Sequence, residues 1–117
     1  MKKTLLLLLL MVAVFASCSN YEKLLQSGDY TQRYEAAKQY YYSGSYTQAS
    51  TLLTDLIAGA KGTDRAEEAL FLLGMSAYRD KEYDAAAGYF KKYYETYPRG
   101  YYAEEAHFYA GVALYEN

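Results

Sequence analysis

Apolar positions along the chain fall into two regimes. From Leu5 to Phe15 they form one unbroken run of eleven residues. Farther on they recur at helical spacing, interrupted by glycine, proline and capping side chains. Ser19 with Glu22 reads as a capping box, in which each side chain satisfies a free backbone N–H at the helix start. It predicts a short helix ended by Gly28. A longer helix is expected from about Thr31 to Ser43, stopped by Gly44, and Ser45 with Gln48 caps a second from about Tyr46 to Ala58. Gly59 and Gly62 break the pattern, and Asp64 with Glu67 caps a third helix ending near Arg79. Tyr83 to Thr96 form a fourth, with Pro98 just past its end. A fifth starts near Tyr102 and reaches Asn117 without a stop signal, as though the sequence were cut short.

The helical part repeats itself. Ala66-Glu67-Glu68-Ala69 returns as Ala103-Glu104-Glu105-Ala106, a shift of 37 residues. The same shift carries Phe71 to Phe108, Gly74 to Gly111 and Tyr78 to Tyr115, and in reverse it reaches Tyr34, Ala37 and Tyr41. A period in the thirties with small residues at fixed places signals stacked helical hairpins. In the second repeat Leu70, Leu73, Gly74, Tyr83, Ala86, Phe90 and Pro98 resemble the tetratricopeptide motif. Ala77 and Tyr93 depart from it, standing where Tyr and Ala are typical. The first repeat keeps Ala37, Tyr40, Gly44, Tyr46, Ala49, Leu53 and Leu56 but lacks the closing Pro. The expected fold is all-α, an α-solenoid of about two and a half repeats over residues 31–117.

The N-terminal run is a different kind of element. A permanent membrane span needs roughly 20 apolar residues, so Leu5–Phe15 is too short. Lys2 and Lys3 ahead of it and small residues behind it are the parts of a secretory signal. Phe15-Ala16-Ser17-Cys18 resembles a lipobox, with Phe in place of the usual Leu. Residues 1–17 are therefore expected to be a removable lipoprotein signal. Residues 18–30 are expected to be the lipidated N-terminus and lead-in helix. Cys18 is the single cysteine, which excludes an internal disulfide and a cysteine-based zinc site. Two or more acyl chains on Cys18 anchor a protein stably where one does not.

Charge narrows the partners. Without Lys2 and Lys3 the chain has ten basic and fourteen acidic side chains, a net charge of −4. That disfavours nucleic acid and anionic headgroups, which are bound through clustered Lys and Arg. The residues form no catalytic constellation, and no metal site or cofactor is expected. His107 stands alone at a packing position, and Gly59, Gly62 and Gly74 lack the strand and the Lys-Ser/Thr of a phosphate loop. Glu67-Glu68 and Glu104-Glu105 lie in first helical turns, where acids meet the positive end of the helix dipole. An enzyme is not expected.

Seventeen tyrosines carry the remaining signal. In a tetratricopeptide array the first helix of each hairpin lines the concave face. The columns Tyr34/Phe71/Phe108 and Tyr41/Tyr78/Tyr115 lie seven apart and share one stripe of those helices, with Lys38 and Arg79 beside it. Tyrosine combines a large apolar contact with a hydroxyl at modest entropic cost, which suits a binding surface. The stripe fits an extended peptide with aromatic side chains, with Lys38 or Arg79 meeting a carboxylate. The alternative is that these rings only pack between hairpins, since Tyr89, Tyr93, Tyr94 and Tyr97 crowd the second helices too.

A more specific resemblance runs through Tyr21–Tyr30, Gly62–Ala69, Phe90–Pro98 and Tyr102–Ala106. Together these resemble BamD, the outer-membrane lipoprotein of the β-barrel assembly machinery, in its Bacteroidetes form. The resemblance implies five repeats, of which this chain would hold two and part of a third. It also implies a lipid-anchored location on the periplasmic face of the outer membrane. N-terminal repeats would recognise C-terminal strands of unfolded outer-membrane proteins, and C-terminal repeats would dock on BamA. The alternative is another periplasmic tetratricopeptide lipoprotein, an adaptor in cell division or peptidoglycan attachment.

Overall fold

The computed structural model describes residues 2–9, 21–23, 29–60 and 62–117. The lipobox with Cys18, and the ends of the lead-in helix at Ser19 and Gly28, lie outside them. Residues 2–9 and 21–23 are helical, and five longer helices follow: α1 (Tyr30–Tyr42), α2 (Tyr46–Gly59), α3 (Asp64–Arg79), α4 (Tyr83–Thr96) and α5 (Ala103–Glu116). No strand occurs among the described residues. No helix among them is long and apolar enough to cross a membrane.

Both complete hairpins turn by the same device. After α1, Ser45 N–H bonds the Tyr40 carbonyl at 2.8 Å and Gly44 N–H bonds that of Tyr41 at 3.2 Å. After α3, Glu82 N–H bonds Ala77 at 2.9 Å and Lys81 N–H bonds Tyr78 at 3.1 Å. These are Schellman motifs, which require one residue in the left-handed region. That residue is Gly44 (φ 87°) in the first hairpin and Lys81 (φ 63°) in the second. The turn is therefore copied 37 residues on, but there its left-handed residue bears a side chain.

Two expected caps are corrected. Ser45 makes no side-chain cap. A capping box would need its backbone N–H for Gln48, and the Schellman bond to Tyr40 already holds that group. For α3 the cap sits one residue earlier than the Asp64 of the sequence reading. Thr63 Oγ1 accepts from Ala66 N–H at 3.3 Å, and Asp64 becomes the first helical residue. Asp29 caps α1 by accepting from Gln32 N–H at 3.2 Å.

Each helix packs chiefly on its chain neighbours, so the core is a continuous seam from α1 to α5. Leu52, Leu53 and Leu56 of α2 are fully buried, each stabilising by roughly 1.5–3 kcal/mol. Within the second hairpin, α3 and α4 meet at Gly74. A Cβ there would lie 2.7 Å from Cε1 of Phe90, whose ring is fully buried. Only glycine permits that approach. Its 37-residue equivalent on α5, Gly111, faces open space.

Candidate functional site

Helices α1, α3 and α5, the first helices of successive hairpins, border a groove containing a cavity of about 360 Å³. From α1 come Lys38, Tyr41 and Tyr42, and from α3 come Glu68, Phe71, Leu72 and Met75. Tyr102, Glu105 and Tyr109 close the far side. Spacings of four, three and four put residues 31, 35, 38 and 42 on one face of α1, 68, 72, 75 and 79 on α3, and 105, 109, 112 and 116 on α5. The groove-facing stripe is thus the one following the aromatic columns by a single residue, a rotation of about 100° around each helix.

That offset decides where the expected site residues go. Lys38, Tyr41 and Phe71 reach the groove wall, the two rings being 8% exposed. Tyr34 is buried, with its hydroxyl donating to Glu68 and its ring stacked on Tyr30 at 6.5 Å. Tyr78 is half-buried against Tyr83 and Tyr109. Arg79 is exposed, its Nε donating to the Tyr41 hydroxyl at 3.1 Å. Phe108 and Tyr115, 63% and 89% exposed, do not line the cavity. Their α3 equivalents are covered by the second helix of the hairpin: Phe71 packs on Phe90 and Tyr93 of α4.

The sequence reading missed Tyr42, Glu68, Leu72, Met75, Tyr102, Glu105 and Tyr109. A signal for them existed. Lys38 and Arg79, read as flanking the aromatic stripe, themselves lie on the groove stripe.

The acids of α3 do more than meet the helix dipole. Lys38 Nζ lies 3.1 Å from Glu68 Oε1 and 5.3 Å from the centre of the Tyr34 ring. Burial would push the Glu68 carboxyl up, but hydrogen bonds from Tyr34 and Lys38 outweigh it and hold it below the ordinary value. The same bond to Glu68 raises the Lys38 ammonium. Tyr34 is pushed up by burial and then by Glu68. Glu67 Oε1 accepts from the Tyr93 hydroxyl at 2.6 Å and from Tyr101 N–H at 2.9 Å. The Tyr93 hydroxyl in turn accepts from Tyr102 N–H at 3.0 Å. Tyr93, a departure from the motif, thereby pins the inter-hairpin turn and so sets Tyr102, which stacks on Phe71 at 4.3 Å in the groove wall. Gly100 is required beside this network. A Cβ there would lie 2.5 Å from Glu67 Oε1 and 2.6 Å from the Tyr93 hydroxyl.

His107, exposed on α5, stacks on Tyr94 at 3.8 Å. Among the described residues no group of His, Cys, Asp and Glu could hold a metal ion.

Compared with known families, residues 34–101 match the tetratricopeptide repeat, over more than half of the chain. The chain belongs to the tetratricopeptide repeat family. Comparison with curated proteins and with solved structures gives no significant match. As a tetratricopeptide array the chain is a scaffold of the kind that mediates protein–protein contacts, and its groove lies on the first helices of the repeats.

Proposed function

We propose that this tetratricopeptide scaffold is the lipid-anchored component of an outer-membrane β-barrel assembly machinery, and that its groove binds the C-terminal strands of unfolded barrel proteins. The carrying observation is the aromatic-walled cavity shared by α1, α3 and α5. An extended peptide laid across first helices would place alternate side chains against Tyr42, Tyr102 and Tyr109. Among the described residues Arg79 forms no ion pair, whereas Lys38 is occupied by Glu68. Of the two cations beside the stripe, Arg79 is therefore the one available to a peptide carboxylate. The BamD-like segments, such as Tyr21–Tyr30, support the same reading.

Cys18 is the anchor in this proposal. The ring of Tyr21 meets that of Tyr40 edge-on at 5.7 Å. Two residues, Ser19 and Asn20, separate Cys18 from Tyr21, and the three steps between them reach about 11 Å at most. A lipid on Cys18 would therefore hold the first hairpin close against the periplasmic face of the membrane. BamA and the other machinery subunits are further partners under this reading.

The test is a titration of the full-length chain, in mild detergent, with a peptide copying the last strand of a barrel protein. Saturable binding that weakens about tenfold when the terminal aromatic residue becomes Ala supports the proposal. Binding indifferent to that residue favours an adaptor with other clients. A Cys18→Ala variant that still fractionates with membranes refutes the anchor.

A further inference from the structure

We propose that the cavity between α1, α3 and α5 receives a lysine or arginine side chain of the bound peptide, held by Glu105 and the surrounding tyrosine rings. This rests on reading the groove as a peptide site, and it adds which residue the peptide must present. Charge balance carries it. Among the described residues the wall contains one cation, Lys38, against two carboxylates, Glu68 and Glu105. Lys38 and Glu68 satisfy each other at 3.1 Å, and Glu68 also accepts from Tyr34. That unit is neutral, and Glu68 Oε1 takes both contacts. Glu105 is exposed and forms no ion pair among the described residues. One carboxylate is thus left uncompensated in a wall otherwise built of Tyr42, Leu72, Met75, Tyr102 and Tyr109.

A cation gains in such a place from the carboxylate and from the negative faces of aromatic rings. An anionic group meets Glu105, and the wall cation Lys38 is already taken by Glu68. Leu72 and Met75 offer apolar surface to the methylene stem of a long basic side chain, whose head stays near the open, polar side. The helices already use this pairing internally. Lys38 sits over the Tyr34 ring at 5.3 Å, and the Arg79 guanidinium lies 6.0 Å from the centre of the Tyr41 ring. The preferred client would therefore carry a basic residue upstream of its aromatic end, with its terminal carboxylate directed to Arg79.

The test uses the full-length chain in mild detergent and one aromatic-ended peptide family. A single lysine is walked through the positions upstream of the end, and the best peptide is remade with Arg, norleucine or Glu at that position. Lys and Arg peptides should bind alike, and norleucine should bind about fivefold more weakly or worse. Glutamate should be weaker still. In Glu105→Gln the preference for Lys over norleucine should shrink below about twofold, with the helical circular dichroism unchanged. Equal binding of Lys and norleucine peptides overturns this inference and leaves the groove reading standing. So does a lysine preference that survives Glu105→Gln. Failure of every peptide to bind overturns both.

Discussion

Tyr93→Phe is the perturbation that separates packing from polar contacts most cleanly. The ring is fully buried and Phe fills the same space, so the apolar contacts with Phe71 and Tyr97 stay. What disappears is the hydroxyl, which donates to Glu67 at 2.6 Å and accepts from Tyr102 N–H at 3.0 Å. A hydrogen bond to a charged group contributes about 1.5–3 kcal/mol, and a buried N–H left without a partner costs about 1–3 kcal/mol, the lower end applying to the partly buried Tyr102 N–H. Glu67 is partly exposed and keeps Tyr101 N–H, so water replaces a share of the first contribution. A net loss of about 2–3 kcal/mol follows. That is a large fraction of the roughly 5–15 kcal/mol that stabilises a natural domain. Urea unfolding followed by circular dichroism should show a lower midpoint with an unchanged slope. Combined with Glu67→Gln, the two losses should fall short of additive by at least about 0.5 kcal/mol. A Tyr93→Phe loss below about 0.5 kcal/mol, or strict additivity with Glu67→Gln, would refute the inter-hairpin lock.

Gly74→Ala should destabilise by about 1–2 kcal/mol, because overpacking against the buried Phe90 ring outweighs the helix-propensity gain. Gly111→Ala, in the same repeat column but facing open space, should stabilise by up to about 1 kcal/mol; equal signs in thermal melts would contradict the packing account. Lys81→Gly should stabilise by about 0.5–1 kcal/mol by relieving its left-handed backbone, and a loss in denaturant titration would count against the turn assignment. Acid should weaken the fold through Glu68. Its carboxyl is held below the ordinary 4.5, so its stabilisation is complete above that value and is lost as pH falls through the folded pKa. Glu68→Gln should flatten that acid limb in stability measured against pH, and an unchanged limb would show that another group governs it.

The helices were legible because their signals are local and periodic. Gly44, Gly62 and Pro98 stop or separate segments whatever the tertiary context, and the 37-residue shift reports the stacking. Capping was less legible because it depends on competition for single backbone groups. Ser45 looks like a cap until Tyr40 is seen holding its N–H. The aromatic columns showed which residues recur, and recurrence is shared by packing and binding faces alike. Only packing against neighbouring helices fixes each helix's rotation, and there the large rings of Tyr34, Tyr41 and Phe71 turn inward. The groove fell to the next stripe, whose Glu68, Leu72 and Met75 have no common chemistry to mark them. Tyr93 was visible as a departure from the motif, but its purpose lay in Glu67 and Tyr102, on elements that only the fold brings together.

Photo-crosslinking tests the groove most directly. A reactive side chain is placed at Tyr42 or Tyr109 on the first helices, and at Tyr89 or Lys92 on a second helix, and each variant is mixed with the terminal-strand peptide of a barrel protein. The account predicts strong crosslinks from Tyr42 and Tyr109 that an unmodified peptide competes away, and weak ones from Tyr89 and Lys92. Strong crosslinks from Tyr89 and Lys92 with none from Tyr42 or Tyr109 would contradict it.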